Sequence, residues 1–237
     1  MMLFAVHLPD YFLPLEWCVA GYLAAAPLVA MGCWRLHERD VPRVALATAA
    51  FFIASSIHIP VPMSSVHLVL NGFVGILLGF RAGLALAVGL LLQALLIGHG
   101  GYQTLGVNIV LQATPALVVG GLFRLAVRST CSFNRLAICG GALSLAAVMA
   151  TVLLQSLFLH LAMGDDGSMP ALLWIGIHVP VACVEAIVVG FMVHYLARVK
   201  PELLGIPPKI ADAAILAAPV RHEFANSPVA AGETRIR

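Results

Sequence analysis

The sequence predicts an all-α integral membrane protein with about seven transmembrane helices. Of its 237 residues, 61% are hydrophobic and only 10% are charged, whereas soluble domains have about 25% charged residues. Between Val44 and Leu122, Arg81 is the only charged residue. Several apolar stretches reach the length of about 20 residues that a helix needs to cross a bilayer, and the third and fourth are shorter. These observations exclude a soluble globule.

Hydropathy divides the chain into seven apolar spans. Pro60 and Pro62 end the second span, because proline cannot continue the helical hydrogen bonds and restricts the residue before it. Arg81 and Gly83 mark a tight turn between the third and fourth spans. The predicted spans cover residues 12–33, 44–59, 67–80, 82–98, 107–127, 136–163 and 171–197.

Basic residues predict the orientation of the spans. All 13 Lys and Arg residues follow the first, third or seventh span or surround the end of the fifth. Because Lys and Arg favour cytoplasmic loops, we expect the N-terminus outside the cell and the C-terminus in the cytoplasm. Residues 1–6 lack the basic start of a secretory signal, so we expect the chain to enter the membrane through its first helix.

Charge and cysteine content exclude two further classes of protein. The net charge is +2 and no basic cluster occurs, so we expect no binding to nucleic acid. The five cysteines are an odd number without a spacing pattern, and they predict no disulfide framework.

Histidines concentrate at the predicted outer end of the spans. The outer loops at 61–66, 99–106 and 164–170 contain no Lys or Arg, and such a surface favours an incoming cation. The alternative is that these are ordinary interfacial histidines. Six of the nine histidines lie in this half: His7, His58, His67, His99, His160 and His178.

His7 and His67 are the candidate metal ligands. His7 precedes the first span, and His67 opens the third span after the Pro-rich turn. Two imidazoles from separate segments are typical ligands for cobalt or nickel, because imidazole nitrogen suits late first-row divalent ions. A lone histidine at a helix end is more often structural, so both interpretations stay open on these residues alone.

Several motifs occur in order between Val6 and Leu204. They are Val6-His7-Leu8-Pro9-Asp10-Tyr11, the Phe-rich stretch from Phe51 through Pro60-Val61-Pro62, Ser65-Val66-His67-Leu68, Gln93-Ala94-Leu95, Gly100-Gly101, Leu105-Gly106-Val107-Asn108, Val184-Glu185-Ala186 and Pro201-Glu202-Leu203-Leu204. Together they resemble the CbiM/NikM family, the substrate-binding membrane subunits (S components, or permeases) of energy-coupling factor (ECF) ABC importers for cobalt and nickel.

The resemblance implies a nearly planar nitrogen site. In the family, the ligands are the terminal amine, the amide and imidazole of the second residue, and a later imidazole, which correspond here to His7 and His67. His7 is not the second residue. We therefore expect translation to start at Val6, read from a GTG codon, or residues 1–5 to be trimmed. Mass spectrometry of the first peptide tests this expectation.

The resemblance also implies the partners and the division of the chain. We expect an extracytoplasmic metal-binding segment at 1–11, a seven-helix transmembrane domain at 12–204 and a partly disordered cytoplasmic tail at 205–237. Transported Co²⁺ or Ni²⁺ is the cargo, and no cofactor is permanently bound. The expected partners in the cell (inner) membrane are a transmembrane coupling subunit, ATPase subunits and a small accessory membrane subunit. Alanine pairs on the first helix, Ala20 with Ala24 and Ala26 with Ala30, resemble docking motifs for the coupling subunit.

Other polar residues have weaker assignments. Asn71, one helical turn after His67, and Asn108, at the start of the fifth span, either orient a ligand or join helices. His99 is an additional ligand on the approach path or, as we favour, a tolerated loop residue. Glu185 lies near the middle of the seventh span, where a charge is costly, and we favour a hydrogen-bonded structural carboxylate over a relay with His178.

Two rival functions remain from the sequence. The first is a vitamin-type substrate-binding subunit of the same importer class, which is also a helical membrane protein with several spans. A membrane metalloenzyme is disfavoured, because Val41 and Asn226 replace the second histidine of the His-Glu-x-x-His pattern begun by His37-Glu38 and His222-Glu223. Neither Lys200 nor Lys209 belongs to a phosphate-binding loop, so we expect ATP hydrolysis in partner subunits and no enzymatic activity in this chain.

Overall fold

The computed structural model describes residues 7–61, 64–129, 132–163 and 168–207. Residues 1–6, Pro62, residues 164–167 and the residues beyond 207 lie outside the described residues, and so do the expectations that concern them. Within the described residues the chain forms seven α-helices: α1 (Leu15–Cys33), α2 (Val41–Ser56), α3 (Asn71–Leu78), α4 (Ala82–Ile97), α5 (Leu105–Ser129), α6 (Phe133–Met163) and α7 (Ser168–Val199).

The structure is nearly all-helical, but a hairpin amends the predicted all-α class. Strands β1 (Ile59–Val61) and β2 (Ser64–Val66) are antiparallel, and Ile59 pairs with Val66. Only a turn was predicted here. Pro60 stops the helix, and the β-branched residues around it favour extended backbone. The hairpin makes β2 lead directly into His67.

The third predicted span begins four residues later than expected. Residues 67–70 are not helical, and α3 starts at Asn71. Leu70 has a positive φ of 50°, which L-residues adopt rarely and which breaks helical geometry. His67 therefore lies on an extended segment between β2 and α3, and the prediction that Asn71 follows it by one helical turn is wrong.

Among the described residues, five stretches are long and apolar enough to cross a membrane: Leu15–Cys33, Asn71–Ile97, Leu105–Arg128, Phe133–Ala162 and Trp174–Val199. The second of these is not one straight rod. A straight helix of its length would extend about 40 Å, yet the rings of His67 and His99, just outside its two ends, have centroids 5.4 Å apart. Gly79, with φ of +59°, begins the reversal between α3 and α4.

The distribution of side chains suits a lipid environment. Large apolar side chains such as Leu23 on α1 and Phe191 on α7 are about 70% exposed. In contrast, the interior contains polar residues, including Gln93, Gln112 and Glu185. Since lipid offers polar groups no partners, such residues belong inside the bundle, where helices supply them.

The bundle has two chemically different ends. At the first, which we call the basic end, the Arg43 guanidinium donates to the carbonyl oxygens of Leu77 and Leu203, and Arg81 donates to Asp40 at 2.8 Å. Helix α2 starts there and, over its 16 residues, rises about 24 Å to the opposite end, where His58 lies. We call this opposite end the histidine end.

Candidate metal centre

Four imidazoles from four separate segments meet at the histidine end. His7 precedes α1, His58 follows α2, His67 follows β2 and His99 follows α4. The centroids of the His7 and His67 rings are 5.3 Å apart, and the two planes differ by only 26°. We refer to these four residues as the histidine cluster. The fold thus brings together His7 and His67, which are 60 residues apart in the sequence.

Three members of the cluster are close enough together to hold one metal ion. His7, His67 and His99 each offer one ring nitrogen, and these nitrogens lie within 4.8 Å of one another. His7 and His67 are only 2% exposed. A cation bound here would exchange water for imidazole nitrogen.

The hydrogen bond of His67 determines which of its nitrogens is free. Its Nδ1 lies 3.0 Å from the carbonyl oxygen of Leu68, and because that oxygen only accepts, Nδ1 carries the proton. The Nε2 atom keeps its lone pair and is buried without a hydrogen-bond partner among the described residues. Burial lowers the pKa of His67 to about 4, so the imidazole is neutral at neutral pH, as a metal ligand must be.

Gln112 contacts the ring of His7. Nε2 of Gln112 lies 3.0 Å from Nδ1 of His7, and because an amide nitrogen only donates, Nδ1 is the acceptor in this orientation of the amide. The opposite amide orientation would place the oxygen against Nδ1–H and leave Nε2 of His7 with a free lone pair. Both Oε1 of Gln112 and Nε2 of His7 are buried. Burial, followed by the neighbouring His99, lowers the pKa of His7 well below its usual value.

Asn108 fixes the backbone beside His7. Its Oδ1 accepts from the N–H of Leu8 at 3.0 Å, and its Nδ2 donates to the Leu8 carbonyl oxygen at 3.1 Å. The Asp10 carboxylate adds two bonds, accepting from the N–H groups of Tyr102 and Gln103 at 3.0 and 2.7 Å. The N-terminal segment is therefore attached to α5 and to the loop before it, and Asn108 acts on His7 through the backbone.

Glu185 fixes the backbone beside His67. Its carboxylate is completely buried and accepts from the N–H of Val69 at 2.8 Å and from the hydroxyl of Ser144 at 3.1 Å. His178 pairs instead with its own helix, through Nδ1 and the Trp174 carbonyl oxygen at 2.7 Å. Glu185 therefore connects α7 and α6 to the extended segment that carries His67.

Of the other candidate residues, Asn71 joins helices, His99 lies in the histidine cluster and His160 lies outside it. Asn71 donates to the Gln112 carbonyl oxygen at 3.2 Å and to the Thr151 hydroxyl at 2.7 Å, so its amide joins α3 to α5 and α6. His99, which the sequence analysis favoured as a tolerated loop residue, has its ring 4.7 Å from that of His7. His160 is exposed on α6.

Sequence reasoning did not assign His58 or Gln112 to the site. The ring of His58 lies 5.1 Å from that of His67 and 4.4 Å from that of His99. The only signal in the sequence was the excess of histidines in the outer half of the spans. Gln112 gave no signal, since a glutamine within a span equally predicts bonding between helices.

Comparison with known proteins agrees with this architecture. Residues 7–203 match a family described as the cobalt uptake substrate-specific transmembrane region, CbiM. A Haemophilus influenzae protein named for metal transport is 33% identical over 84% of this chain and 97% of its own length. A Methanocorpusculum labreanum protein named as a fused cobalt transport protein, CbiMQ, is 32% identical over 84% of this chain and 36% of its own length.

A solved structure described as a transition metal transporter has a similar fold. It superposes with a TM-score of 0.64 and 27% sequence identity, and the match covers 81% of this chain and 93% of that one. Nearly the whole described chain therefore matches one family of membrane proteins in both sequence and fold. The chain belongs to the CbiM family of cobalt-uptake substrate-specific transmembrane proteins.

Proposed function

We propose that this protein is the substrate-capture subunit of an ECF-type ABC importer for divalent cobalt or nickel, with ATP hydrolysis in partner subunits. The observation that supports this most strongly is the convergence of His7 and His67, two buried imidazoles, at the histidine end. In this proposal both residues are ligands of the captured ion.

The donor chemistry favours late first-row divalent ions. The histidine cluster supplies imidazole nitrogen, which suits cobalt and nickel. Mg²⁺ and Ca²⁺ prefer oxygen ligands, and imidazoles are poor substitutes for these. Because His7 and His67 are buried, an ion must exchange water for nitrogen ligands to bind here. The site therefore favours cobalt and nickel over Mg²⁺ and Ca²⁺.

The proposed orientation places the histidine end outside the cell (inner) membrane and the basic end in the cytoplasm. Arginines at cytoplasmic ends follow the positive-inside rule, and a cation arriving from outside meets imidazoles first. All seven helices cross or enter the bilayer in this proposal, including the 16-residue α2 and the antiparallel pair α3 and α4.

Partner subunits supply the energy in this proposal. The fusion of a CbiM-type protein with a second component in the Methanocorpusculum labreanum relative supports the existence of such partners. Helix α1 offers a surface for the transmembrane coupling subunit, since Ala20, Ala24, Ala26 and Ala30 are all exposed and small side chains permit close helix contact.

Metal-binding calorimetry on the purified protein tests the site. We expect the wild type to bind Co²⁺ or Ni²⁺ and the His67→Ala variant to bind at least about 100-fold more weakly, because even partners of metal ligands contribute up to about that factor. His160→Ala is the control, since His160 is exposed. Wild-type protein that binds neither ion, or unchanged affinity in His67→Ala, would contradict the proposal.

Uptake by whole cells tests the dependence on partners. Cells that express this chain with coupling and ATPase subunits should accumulate cobalt or nickel, and cells that express the chain with an ATPase inactivated at its phosphate-binding lysine should not. Equal accumulation in both would show that the chain transports without ATP hydrolysis by partners.

A further inference from the structure

Three arginines surround a small cavity at the basic end. Arg43 of α2, Arg124 of α5 and Arg81, which precedes α4, line it together with Asp40. The cavity has a volume of about 70 Å³, several times the space that one water molecule needs. It lies where α2 and α4 begin and α3 ends, and the ends of membrane helices lie at the level of the lipid headgroups.

Positive charge is in excess around this cavity. The described residues that line it supply three guanidinium groups and one carboxylate, that of Asp40, and guanidinium groups stay protonated in proteins. Glu202 also acts electrostatically on Arg43, but it is exposed and pairs with Lys200 at 3.4 Å. The lining therefore has two more positive charges than negative ones, and such an excess favours a bound anion.

The guanidinium groups retain donors for a further acceptor. Nη2 of Arg43 donates to backbone carbonyl oxygens, and Nη2 of Arg81 donates to the Asp40 carboxylate. The Nε atoms of Arg43 and Arg81 have no hydrogen-bond partner among the described residues. Nη1 of Arg124 donates to a carbonyl oxygen of its own helix at 3.3 Å. Since each guanidinium has five N–H donors, these side chains can bind phosphate oxygens in addition to their protein partners.

An apolar groove begins at the same arginine. Arg43 also lines a groove of about 550 Å³ between α2, α3 and α7, whose walls include Leu46, Phe73 and Met192. Leu46 is exposed, so the groove opens on the lipid-facing surface of the bundle. The charged cavity and the apolar groove thus meet at one side chain, as the phosphate and the acyl chain of a phospholipid do.

We propose that the basic end binds an anionic phospholipid, with its phosphate group between Arg43, Arg81 and Arg124 and an acyl chain in the groove. Basic pockets between membrane helices on the cytoplasmic side suit anionic headgroups. A free phosphate ion would leave the groove empty, and a lipid without net charge would leave the excess positive charge uncompensated. This inference goes beyond the proposed function and does not depend on the identity of the cargo.

Native mass spectrometry of the metal-free protein in detergent tests the class of ligand. We expect one molecule of phosphatidylglycerol to stay bound and to raise the melting temperature. Phosphatidylcholine with the same acyl chains, and inorganic phosphate at equal ionic strength, should do neither. Equal retention of phosphatidylcholine would overturn the inference. Equal stabilisation by inorganic phosphate would also overturn it, because the site would then take free phosphate.

Two arginines one helical turn apart on α5 provide matched variants for the cavity. Arg124→Gln removes a charge from the lining and should weaken phosphatidylglycerol binding at least about fivefold. Arg128→Gln removes an equal charge from an exposed position and should leave the affinity unchanged. Thermal unfolding without lipid confirms that both variants are folded. Equal affinities of the two variants for phosphatidylglycerol would overturn the site.

Two adjacent alanines test the groove. Ala50 lines it, whereas Ala49 is exposed and does not. Ala50→Trp fills the groove and should reduce the fraction of protein that retains phosphatidylglycerol, and Ala49→Trp should not. Full retention in Ala50→Trp would overturn the assignment to a lipid. Co²⁺ binding at the histidine end should be the same in all four variants, so a failure of this inference leaves the proposed function intact.

Discussion

The polar residues nearest the histidine cluster act mainly on the backbone. Asn108 bonds both backbone groups of Leu8, and Glu185 bonds the N–H of Val69. Each thereby fixes a segment next to a proposed ligand. An imidazole on an extended segment has no helix to hold it, so neighbours from other helices must supply its position.

Replacing Asn108 tests this role on the His7 side. Asn108→Ala leaves the N–H of Leu8 without its partner, and we expect a loss of about 1–3 kcal/mol in the free energy of unfolding. Co²⁺ binding should weaken about tenfold, as measured by calorimetry. Gln103→Ala is the matched control, since it removes an exposed bond to Tyr11 of the same segment. Equal losses in both variants would contradict a specific role for Asn108.

Replacing Glu185 tests the same idea on the His67 side. Glu185→Ala removes the acceptor for Val69 and Ser144, and we expect Co²⁺ affinity to fall about 10–100-fold. Glu185→Gln retains one acceptor oxygen and should restore part of this loss. Glu16→Ala changes an exposed carboxylate on α1 and should have no effect. Unchanged Co²⁺ affinity in Glu185→Ala would refute the positioning role.

At the level of helices, α3 and α5 pack closely against each other through glycines. A Cβ atom on Gly120 of α5 would collide with the carbonyl oxygen of Gly75 on α3. The carbonyl group of Gly75 is backbone, so it cannot move aside without separating the helices. The adjacent Gly121 faces open space, with no described atom within 4 Å of its Cβ position.

These two neighbouring glycines provide a matched stability test. Gly120→Ala should destabilise the protein by about 1–3 kcal/mol through overpacking. Gly121→Ala should stabilise it by up to about 1 kcal/mol, because alanine is the better helix former. Thermal unfolding in detergent measures both. Equal melting temperatures for the two variants would show that the contact between α3 and α5 is not tight.

Hydropathy predicted most of the helices, but it did not predict the strands β1 and β2 or the extended segment at 67–70 next to the site. Long apolar spans such as α6 and α7 are evident from hydropathy alone, since lipid requires apolar surfaces over a whole helix. Residues 67–70 were predicted to begin a helix, yet they form an extended segment that follows the strand pair β1 and β2. Its backbone is held by long-range bonds, such as that from Val69 to Glu185, 116 residues away.

The candidate site shows the same limit. His7 and His67 were predicted because the family motifs contain ligands at these positions, whereas the motif from Phe51 to Pro62 contains His58 without assigning it a role. The contacts of His58 with His67 and His99 depend on how α2, β2 and α4 end at one level of the bundle. The spacing of residues in the sequence does not show where these elements end in space, so the position of His58 in the histidine cluster could be recognised only from the structure.

At the scale of the whole molecule, the two ends of the bundle predict its orientation. In a cysteine-free background, His160→Cys at the histidine end should react with a membrane-impermeant thiol reagent added to intact cells. Arg128→Cys at the basic end should react only after the cells are permeabilised. Both native residues are exposed, so access to the reagent depends on the side of the membrane. The reverse labelling pattern would contradict the proposed direction of uptake.

We expect His7 and His67 to bind one cobalt ion at the histidine end. An anomalous difference map at the cobalt absorption edge, from crystals of the Co²⁺-loaded protein, locates that ion. We predict one strong peak within about 2.1 Å of a ring nitrogen of both residues. A cobalt peak elsewhere in the molecule, with these two imidazoles bound to nothing, would refute the proposed site.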